Sequence, residues 1–326
     1  MPSCLVVQPI HPSGVRKLEA AGIAVRRASS ADMATVRREI ADCDAVITRN
    51  AGLDTEAVLA GGRLRVIANH GIGTNRIDVP CATELRIPIV FTPFANARSV
   101  AEHAVMLMLA VGKRLLPCDA AVRGGNWDHR YRPGLQELRG RTLGIVGFGT
   151  IGRMTADIAR LGFGMQVVVH SPAAGADLIA SHGAQACSSL DELLAAADVV
   201  SLHRPSRPDT RHLISTATLA RMKHGAILVN TARADLVDTL ALADALKDGR
   251  IAGAGIDVFD QEPVPPGHPL LGLPNVVLTP HTAGSTDEAL QQTADQCAEQ
   301  IIDVLAGRRP PHLVNAAVWD RRRQPA

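Results

Sequence analysis

Arg233, Glu262 and His281 supply three ionisable side-chain types that could act together on one small acid. Each follows, within a few residues, an apolar run that is typical of a buried strand. Ligands of open α/β sheets bind beyond the carboxyl ends of the strands, so we expect the three side chains to meet at one sheet edge. Taken singly, each has a plain alternative, as a surface ion pair, a solvated loop acid or a loop histidine before a helix.

These residue types suit the reduction of a 2-oxo acid. When hydride reaches C2, the carbonyl oxygen gains negative charge, and histidine is the natural proton donor near neutral pH. A carboxylate beside a histidine favours the imidazolium. An arginine can bind the substrate carboxylate through two hydrogen bonds and polarise the carbonyl. We therefore take His281 as candidate acid/base, Glu262 as its partner and Arg233 as the substrate-binding cation.

A glycine-rich sequence, GFGTIG at residues 147–152, follows a strand-like run and opens a helical stretch that reaches about Leu161. This context makes it a credible dinucleotide-binding motif. Gly147 permits the tight turn, Gly149 lets the backbone approach a pyrophosphate, and Gly152 allows the helix to pack closely on the sheet. The phosphates would lie at the helix N-terminus, where free N–H groups favour negative charge.

The residue that should discriminate NAD from NADP is Ser171. An acidic residue at this position would bind the ribose 2′-hydroxyl of NAD. The first carboxylate after the strand that precedes Ser171 belongs to Asp177. A serine removes the charge that would repel a 2′-phosphate, yet no arginine follows it. Arg204 is a candidate to bind that phosphate, or it is simply solvated on a loop. The sequence leaves NAD and NADP both open.

Strand-like and helix-like segments alternate along the chain, in two series. We predict first-series strands at residues 5–7, 45–48, 66–68 and 89–91, with helices such as 14–21 and 55–60 between them. Second-series strands are predicted at 142–146, 166–169, 198–202, 226–230, 255–258 and 276–278. Long helical stretches cover 100–116 and 287–305. Such alternation predicts an α/β protein with two doubly wound parallel sheets.

Two helix starts carry recognisable capping signals. Ser189 and Glu192 form a capping box, in which the hydroxyl accepts from a helix N–H while the glutamate reaches back. Asp238 is a plausible N-cap of the helix that follows it.

Composition excludes several classes of protein. The chain has 326 residues, suggesting two domains, and a formal net charge of +2 without long runs of like charge, so we expect no nucleic-acid partner. The longest apolar run, residues 104–111, is too short to span a membrane, and no signal peptide is evident. Six cysteines are scattered without a C-x-x-C pair, so we expect no metal site, no disulfides and a cytoplasmic location.

The chain resembles the D-isomer-specific 2-hydroxyacid dehydrogenase family over nearly its full length. The matching stretches occur in order at residues 71–73 with Asp78, 98–103, 147–152, 230–233, 255–263 and 280–281. The resemblance implies a Rossmann cofactor domain, residues 98–289, inserted into a flavodoxin-like substrate domain made of residues 1–97 and 290–326. It also implies a homodimer joined through the cofactor domains.

The resemblance assigns further roles residue by residue. It gives Arg233, Glu262 and His281 the roles proposed above, and Asp257 the role of meeting the nicotinamide carboxamide. Residues that match cofactor-lining positions are Thr150, Ile151, Pro205, Thr231 and Gly284. The loop that begins at Asn69 would offer backbone N–H groups to the substrate carboxylate, through His70, Gly71, Ile72 and Gly73.

Some residues depart from the family pattern. Ala234-Asp235 replaces a common glycine pair after Arg233, so that an added carboxylate either competes for the arginine or faces solvent. Asn75-Arg76 replaces a more usual acidic and amide pair, and Ser171 replaces the usual aspartate. The three catalytic candidates are all retained.

Two alternatives to a hydroxyacid dehydrogenase remain. A formate-type dehydrogenase would have glutamine as the histidine's partner, but Glu262 directly precedes Pro263 and Gln261 lies one residue earlier. A dinucleotide-sensing corepressor built on this fold would keep a similar triad, but such proteins tend to have extra disordered tails, and this chain ends soon after its last helical stretch.

The substrate stays open among glyoxylate, hydroxypyruvate, 3-phosphoglycerate and bulkier 2-oxo acids. Five arginines either favour a phosphorylated or dicarboxylic acid or are solvated: Arg49, Arg76, Arg98, Arg130 and Arg132.

Overall fold

The computed structural model describes residues 1–324 and divides into two compact units. The first unit comprises Met1–Asn96 together with the segment from Ser285 onward, and the second comprises Ala97–Gly284. Each unit contains one parallel β-sheet with helices on both faces, so the predicted α/β class with two doubly wound sheets is confirmed.

The first unit has a five-stranded sheet in the order β2-β1-β3-β4-β5, which is the flavodoxin-like order. Its strands are β1 (Ser3–Val6), β2 (Ala24–Arg27), β3 (Ala45–Thr48), β4 (Val66–Asn69) and β5 (Ile89–Val90). Its first four helices are α1 (Pro12–Ala20), α2 (Met33–Glu39), α3 (Thr55–Ala60) and α4 (Val79–Glu84). Successive residues of β1, β3, β4 and β5 enter two different apolar cores, one on each face of the sheet.

The second unit has a seven-stranded sheet in the order β12-β11-β10-β9-β6-β7-β8. Its strands are β6 (Thr142–Val146), β7 (Gln166–His170), β8 (Gln185–Ala186), β9 (Val199–Leu202), β10 (Ile227–Asn230), β11 (Gly253–Ile256) and β12 (Val276–Leu278). Its helices are α5 (Ala97–Gly112), α6 (Leu115–Arg123), α7 (Thr150–Phe163), α8 (Ala176–Ser181), α9 (Leu190–Ala196), α10 (Thr216–Leu219) and α11 (Thr239–Lys247). The strand order reverses beside β6, as in dinucleotide-binding folds.

The last helix, α12 (Asp287–Leu305), belongs to the first unit and packs on α1. A Cβ atom at Gly14 would lie 2.7 Å from the carbonyl oxygen of Ala294, so a glycine at this point of α1 permits the close approach of the two helices. This contact ties the C-terminal segment to the N-terminal sheet.

The sequence missed two edge strands, and both β1, predicted at residues 5–7, and β11 begin two residues before their predicted starts. The sequence did not predict β2 or β8, because β2 has two arginines and β8 has only two residues, both exposed. Residues 255–258 were predicted as a strand, but β11 begins two residues earlier, at Gly253. Its glycines hid the strand pattern, and they are needed because Cβ atoms at Gly253 and Gly255 would lie 2.7 Å from side-chain atoms of α5.

The predicted single helix over residues 100–116 is also wrong in one respect. It divides into α5 and α6, and Arg114 between them has φ 49°.

The predicted capping box is half correct. Ser189 Oγ accepts from Glu192 N at 3.2 Å, but the Glu192 carboxylate accepts from Ser188 rather than Ser189. Asp238 caps α11 as predicted.

Candidate active site

Three neighbouring strands of the second unit place the three candidate catalytic residues on loops at the same sheet edge. Arg233 follows β10, Glu262 follows β11 and His281 follows β12. Since these strands are adjacent and parallel, their carboxyl ends bring together residues that lie far apart in the chain.

His281 and Glu262 form a direct hydrogen-bonded pair. His281 Nδ1 lies 2.9 Å from Glu262 Oε1 and 3.0 Å from Oε2. Glu262 Oε1 also accepts from Phe259 N at 3.2 Å, which fixes the carboxylate on its own loop. A carboxylate only accepts, so the proton of this pair lies on Nδ1, and Nε2 is left for exchange with a ligand. The His281 side chain is 34% exposed, which leaves it accessible.

The loop that carries His281 is anchored by a buried carboxylate. Asp257, which is 0% exposed, accepts at Oδ1 from Thr279 Oγ1 (2.6 Å) and Thr282 N (2.9 Å), and at Oδ2 from Ala283 N (2.9 Å). The structure shows this carboxylate bound to the loop that carries His281, and the nicotinamide contact that the resemblance implies for Asp257 stays a prediction. Sequence reasoning missed this anchoring, for which the only signal was the acidic residue just beyond a glycine-rich strand.

Asn230 shapes the turn that leads to Arg233. Its Nδ2 donates to the carbonyl oxygen of Arg233 (2.8 Å), and its Oδ1 accepts from Ala232 N (3.0 Å). Arg233 Nη1 donates to the carbonyl oxygen of Ala232 at 2.6 Å. Asp235, the departure from the family pattern, accepts a hydrogen bond from the Ser206 hydroxyl. Its carboxylate is therefore held by a serine of the loop after β9.

The glycine-rich loop has the geometry of a pyrophosphate cradle. Gly147 has φ +99°, and a Cβ atom there would lie 2.7 Å from the carbonyl oxygen of His203. At Gly152 a Cβ atom would lie 2.2 Å from the carbonyl oxygen of Gly147. Gly149 caps α7 without a side-chain hydrogen bond, and a Cβ atom there would meet nothing within 4 Å. Open space at an uncapped helix N-terminus fits a dinucleotide phosphate.

Two further residues fit a bound dinucleotide. Thr231 is buried, and its hydroxyl has no hydrogen-bond partner within residues 1–324. The Arg204 side chain is only 15% exposed, so this arginine is not simply solvated on its loop. Its Cδ would lie 3.2 Å from a Cβ atom at Gly147, and its guanidinium is 3.6 Å from Asp209. Arg204 therefore borders the glycine-rich loop.

The remaining cofactor-lining candidates also follow strands of the second unit. Ser171 comes directly after β7 and is partly exposed. The first carboxylate after β7 belongs to Asp177. Thr150 and Ile151 lie in the first turn of α7, and Pro205 follows β9. Gly284 ends the loop that carries His281.

His203, beside Arg204, hydrogen-bonds Ser201 Oγ at 2.9 Å, and burial lowers its pKa to about 4. This histidine is therefore neutral at physiological pH.

In the first unit, the loop after β4 carries the other substrate-binding candidates. Gly71 has φ +141°, and Asn69 Nδ2 donates to the carbonyl oxygens of Gly71 (2.9 Å) and Gly73 (3.3 Å). The backbone N–H groups of Ile72 and Gly73 have no recorded acceptor in the part of the chain that the structure describes. The other two predicted donors are already engaged, because His70 N donates to the carbonyl oxygen of Thr48 (2.8 Å) and Gly71 N to that of Asn69 (2.9 Å).

His70 and Arg49 lie at the same edge of the first sheet. Burial, with a contribution from Arg49, lowers the pKa of His70 to about 3. Burial also lowers the pKa of Arg49, which donates to the carbonyl oxygen of Pro9 at 2.7 Å. Within residues 1–324 no carboxylate contributes to the pKa of Arg49, which burial alone lowers. Arg98 and Arg130, in contrast, are exposed and contact Glu102 and Tyr131.

The six cysteines are all free thiols. Among residues 1–324 no group of three or more His, Cys, Asp or Glu side chains has metal-binding geometry. Over the same residues, no helix has the length and apolar character that crossing a bilayer requires.

Comparisons with known proteins agree with this geometry. A family model described as "D-isomer specific 2-hydroxyacid dehydrogenase, NAD binding domain" matches residues 105–283. The glyoxylate reductase of Thermofilum pendens is 42% identical over 86% of this chain and 84% of that protein. The D-3-phosphoglycerate dehydrogenase of Methanocaldococcus jannaschii is 38% identical over 97% of this chain, which spans 60% of that protein. A solved structure from Thermus thermophilus has a TM-score of 0.88 at 37% identity, covering 96% of this chain and 99% of that chain.

The fold and the glycine-rich loop define an NAD-binding oxidoreductase of the Rossmann type. The chain belongs to the D-isomer-specific 2-hydroxyacid dehydrogenase family. It transfers a hydride between a nicotinamide coenzyme and C2 of a small 2-hydroxy or 2-oxo acid. The family, the fold class and the reaction class predicted from the sequence are thereby confirmed.

Proposed function

We propose that the protein reduces small 2-oxo acids of the glyoxylate class with NADH, and that His281, Glu262 and Arg233 carry the reaction. The observation that supports this most directly is the pair between His281 Nδ1 and Glu262 Oε1 at 2.9 Å. A carboxylate in this position accepts from Nδ1 and orients the ring. The glyoxylate reductase relative makes glyoxylate the first substrate to assay.

Each residue would have a separate task. When bound, the nicotinamide supplies or accepts the hydride. His281 Nε2 would donate a proton to the carbonyl oxygen during reduction and withdraw it during oxidation, while Glu262 holds Nδ1–H. Arg233 would bind the substrate carboxylate. On this proposal the second unit is the dinucleotide-binding domain and the first is the substrate domain.

A panel of 2-oxo acids, assayed separately with NADH and NADPH, tests the proposed function. Glyoxylate or hydroxypyruvate should be reduced with saturable kinetics, and D- rather than L-2-hydroxy acids should be oxidised. Absence of turnover on every acid of the panel, with coenzyme binding retained, would favour a dinucleotide-sensing protein. Turnover of formate instead would support the formate-type alternative, although Glu262 rather than glutamine partners His281.

We also propose that NADP is accepted as a second coenzyme. The residue at the end of β7 is Ser171, which has no charge, and the Arg204 side chain lies against the glycine-rich loop. Both features tolerate a 2′-phosphate, whereas the usual aspartate would repel it. The ratio of kcat/KM with NADH to that with NADPH measures the preference directly.

A phosphorylated 2-oxo acid is a second candidate substrate, and Arg49 is the observation that favours it. This partly desolvated guanidinium lacks a carboxylate partner among the described residues and follows β3, next to the loop after β4. Relative turnover of hydroxypyruvate and 3-phosphohydroxypyruvate by the native protein and by Arg49→Met separates the two candidates. Loss of activity on the phosphorylated acid alone would assign its phosphate to Arg49.

We further propose a cytoplasmic homodimer that assembles through the second unit, with no nucleic-acid partner. Helix α6 has no buried residue, and it is followed by a short 3₁₀ helix (Trp127–Tyr131) with two exposed aromatic rings. Such a large exposed apolar surface is typical of an association site. Free cysteines suit a reducing compartment, and a net charge of +2 gives no basic surface for nucleic acid.

A further inference from the structure

Helix α5 contacts the histidine loop through two polar side chains on one face. Ser99 and His103 are four residues apart, so they lie one above the other on the helix. Ser99 Oγ donates to the carbonyl oxygen of Ala283 at 2.6 Å, and this bond is buried. His103 Nε2 lies 2.9 Å from Thr279 Oγ1. The two contacts therefore hold the loop on both sides of His281.

Proton counting fixes the direction of the second contact. The Thr279 hydroxyl has one proton, which it donates to Asp257 Oδ1 at 2.6 Å, because a carboxylate can only accept. The Thr279 oxygen must then accept from His103, so Nε2 of His103 carries a proton. Burial lowers the pKa of His103, which favours the neutral ring. A directional series of donors thus runs from His103 through Thr279 to Asp257.

The loop needs such support because His281 has a costly backbone conformation. Its φ is 54°, in the left-handed region that residues with a Cβ atom rarely adopt. Strain of this kind persists only when the surroundings impose it. The residues on both sides of His281, at 279, 282 and 283, are all bound by Asp257 or α5.

We propose that Ser99 and His103 are positioning residues that set the backbone of His281 and so align its imidazole with Glu262. The inference rests on the proposed acid/base role of His281. Neither residue contacts the imidazole; both act through the loop, at Ala283 and Thr279. Removing either support should let His281 relax toward an ordinary φ and lose its alignment, which affects turnover more than binding.

Variants of His103 that differ only in the Nε2 donor provide the test. His103→Leu removes the donor, whereas the Nε2–H of glutamine in His103→Gln can reach a similar point and donate to Thr279. We expect kcat to fall about 10- to 100-fold in His103→Leu, and to stay within about threefold of the native value in His103→Gln. Ser99→Ala should behave like His103→Leu, and Met106→Leu, an exposed position on α5, should leave kcat unchanged.

Two readouts separate positioning from general damage to the fold. The Kd for NADH, measured by fluorescence titration, should be unchanged in all four variants. In the protein without coenzyme, the low-field proton signal of His281 Nδ1–H should persist in His103→Gln and be lost in His103→Leu. Full kcat in His103→Leu, or equal loss in both His103 variants, would overturn the positioning role. Full activity of His281→Ala would instead refute the proposed acid/base function itself.

Discussion

Glu262 and His281 lie 19 residues apart in the chain, yet the carboxylate of one accepts from Nδ1 of the other at 2.9 Å. Their loops follow adjacent parallel strands, β11 and β12, so the sheet brings them together without any local sequence signal. The pair leaves Nε2 of the histidine as the nitrogen that can exchange a proton with a ligand.

Replacing His281 by alanine should therefore reduce kcat at least about 100-fold for every accepted 2-oxo acid. The proton donor is lost, while the glycine-rich loop that would bind the coenzyme is untouched. Steady-state kinetics with parallel NADH fluorescence titration provide the measurement. His224→Ala, which removes an exposed histidine of the turn before β10, is the matched control and should retain turnover. Near-normal turnover of His281→Ala would rule out its assignment as the acid/base.

The coenzyme preference should change when a carboxylate is restored at Ser171. We expect Ser171→Asp to raise the ratio of kcat/KM for NADH over NADPH by about tenfold or more, because the carboxylate accepts from a 2′-hydroxyl and repels a 2′-phosphate. The control is Ser181→Asp, which adds the same charge at the exposed end of α8. An unchanged ratio in Ser171→Asp would mean that this position does not contact the adenosine ribose.

Gly147 tests the pyrophosphate cradle. Gly147→Ala forces a side chain into φ +99° and against the carbonyl oxygen of His203, so the loop must move. We expect a loss of about 1–3 kcal/mol in the free energy of unfolding and at least about tenfold weaker NADH binding. Gly272→Ala, in an exposed loop where a Cβ atom would meet nothing within 4 Å, should change neither quantity. Normal coenzyme affinity in Gly147→Ala would count against a phosphate site at this turn.

The strands differ in how well the sequence predicts their bounds, and β11 with its two glycines shows one reason. Strands rich in valine and isoleucine, such as β3 and β6, were predicted with their observed bounds because both of their faces are buried. In β11, Gly253 and Gly255 reflect the approach of α5, which is a tertiary constraint. The predicted strand was consequently displaced by two residues.

The site divides in the same way. The types and order of Arg233, Glu262 and His281 were sufficient to predict a common sheet edge, because parallel strands place their carboxyl ends together. The anchoring role of Asp257 was not predictable, since its three donors come from a loop more than 20 residues later. Ser99 and His103 were recognisable only as part of a family motif, without the loop that they support.

The homodimer proposal makes a prediction about the apolar surface of α6. Val122 is 60% exposed there, and Val122→Glu would place a charge in the proposed interface. Light scattering at micromolar concentration should show a dimer for the native protein and mostly monomer for Val122→Glu. Leu161→Glu, at a 72% exposed position on α7, should remain dimeric. A native protein that is monomeric at these concentrations would contradict the dimer.

His203 makes stability depend on pH in a direction that its environment fixes. Burial lowers its pKa to about 4 in the folded protein, whereas an exposed histidine, as in the unfolded chain, has a pKa of 6.5. The unfolded chain therefore binds more protons between these values, so the free energy of unfolding is highest above pH 6.5 and falls as the pH drops toward 4. His203→Gln cannot titrate, and its Nε2 can still reach Ser201, so its free energy of unfolding should match the native value at pH 7.5. It should fall less on acidification, by on the order of 2 kcal/mol at pH 4.5. Urea unfolding at the two pH values gives the comparison, and parallel losses in both proteins would show that His203 does not contribute.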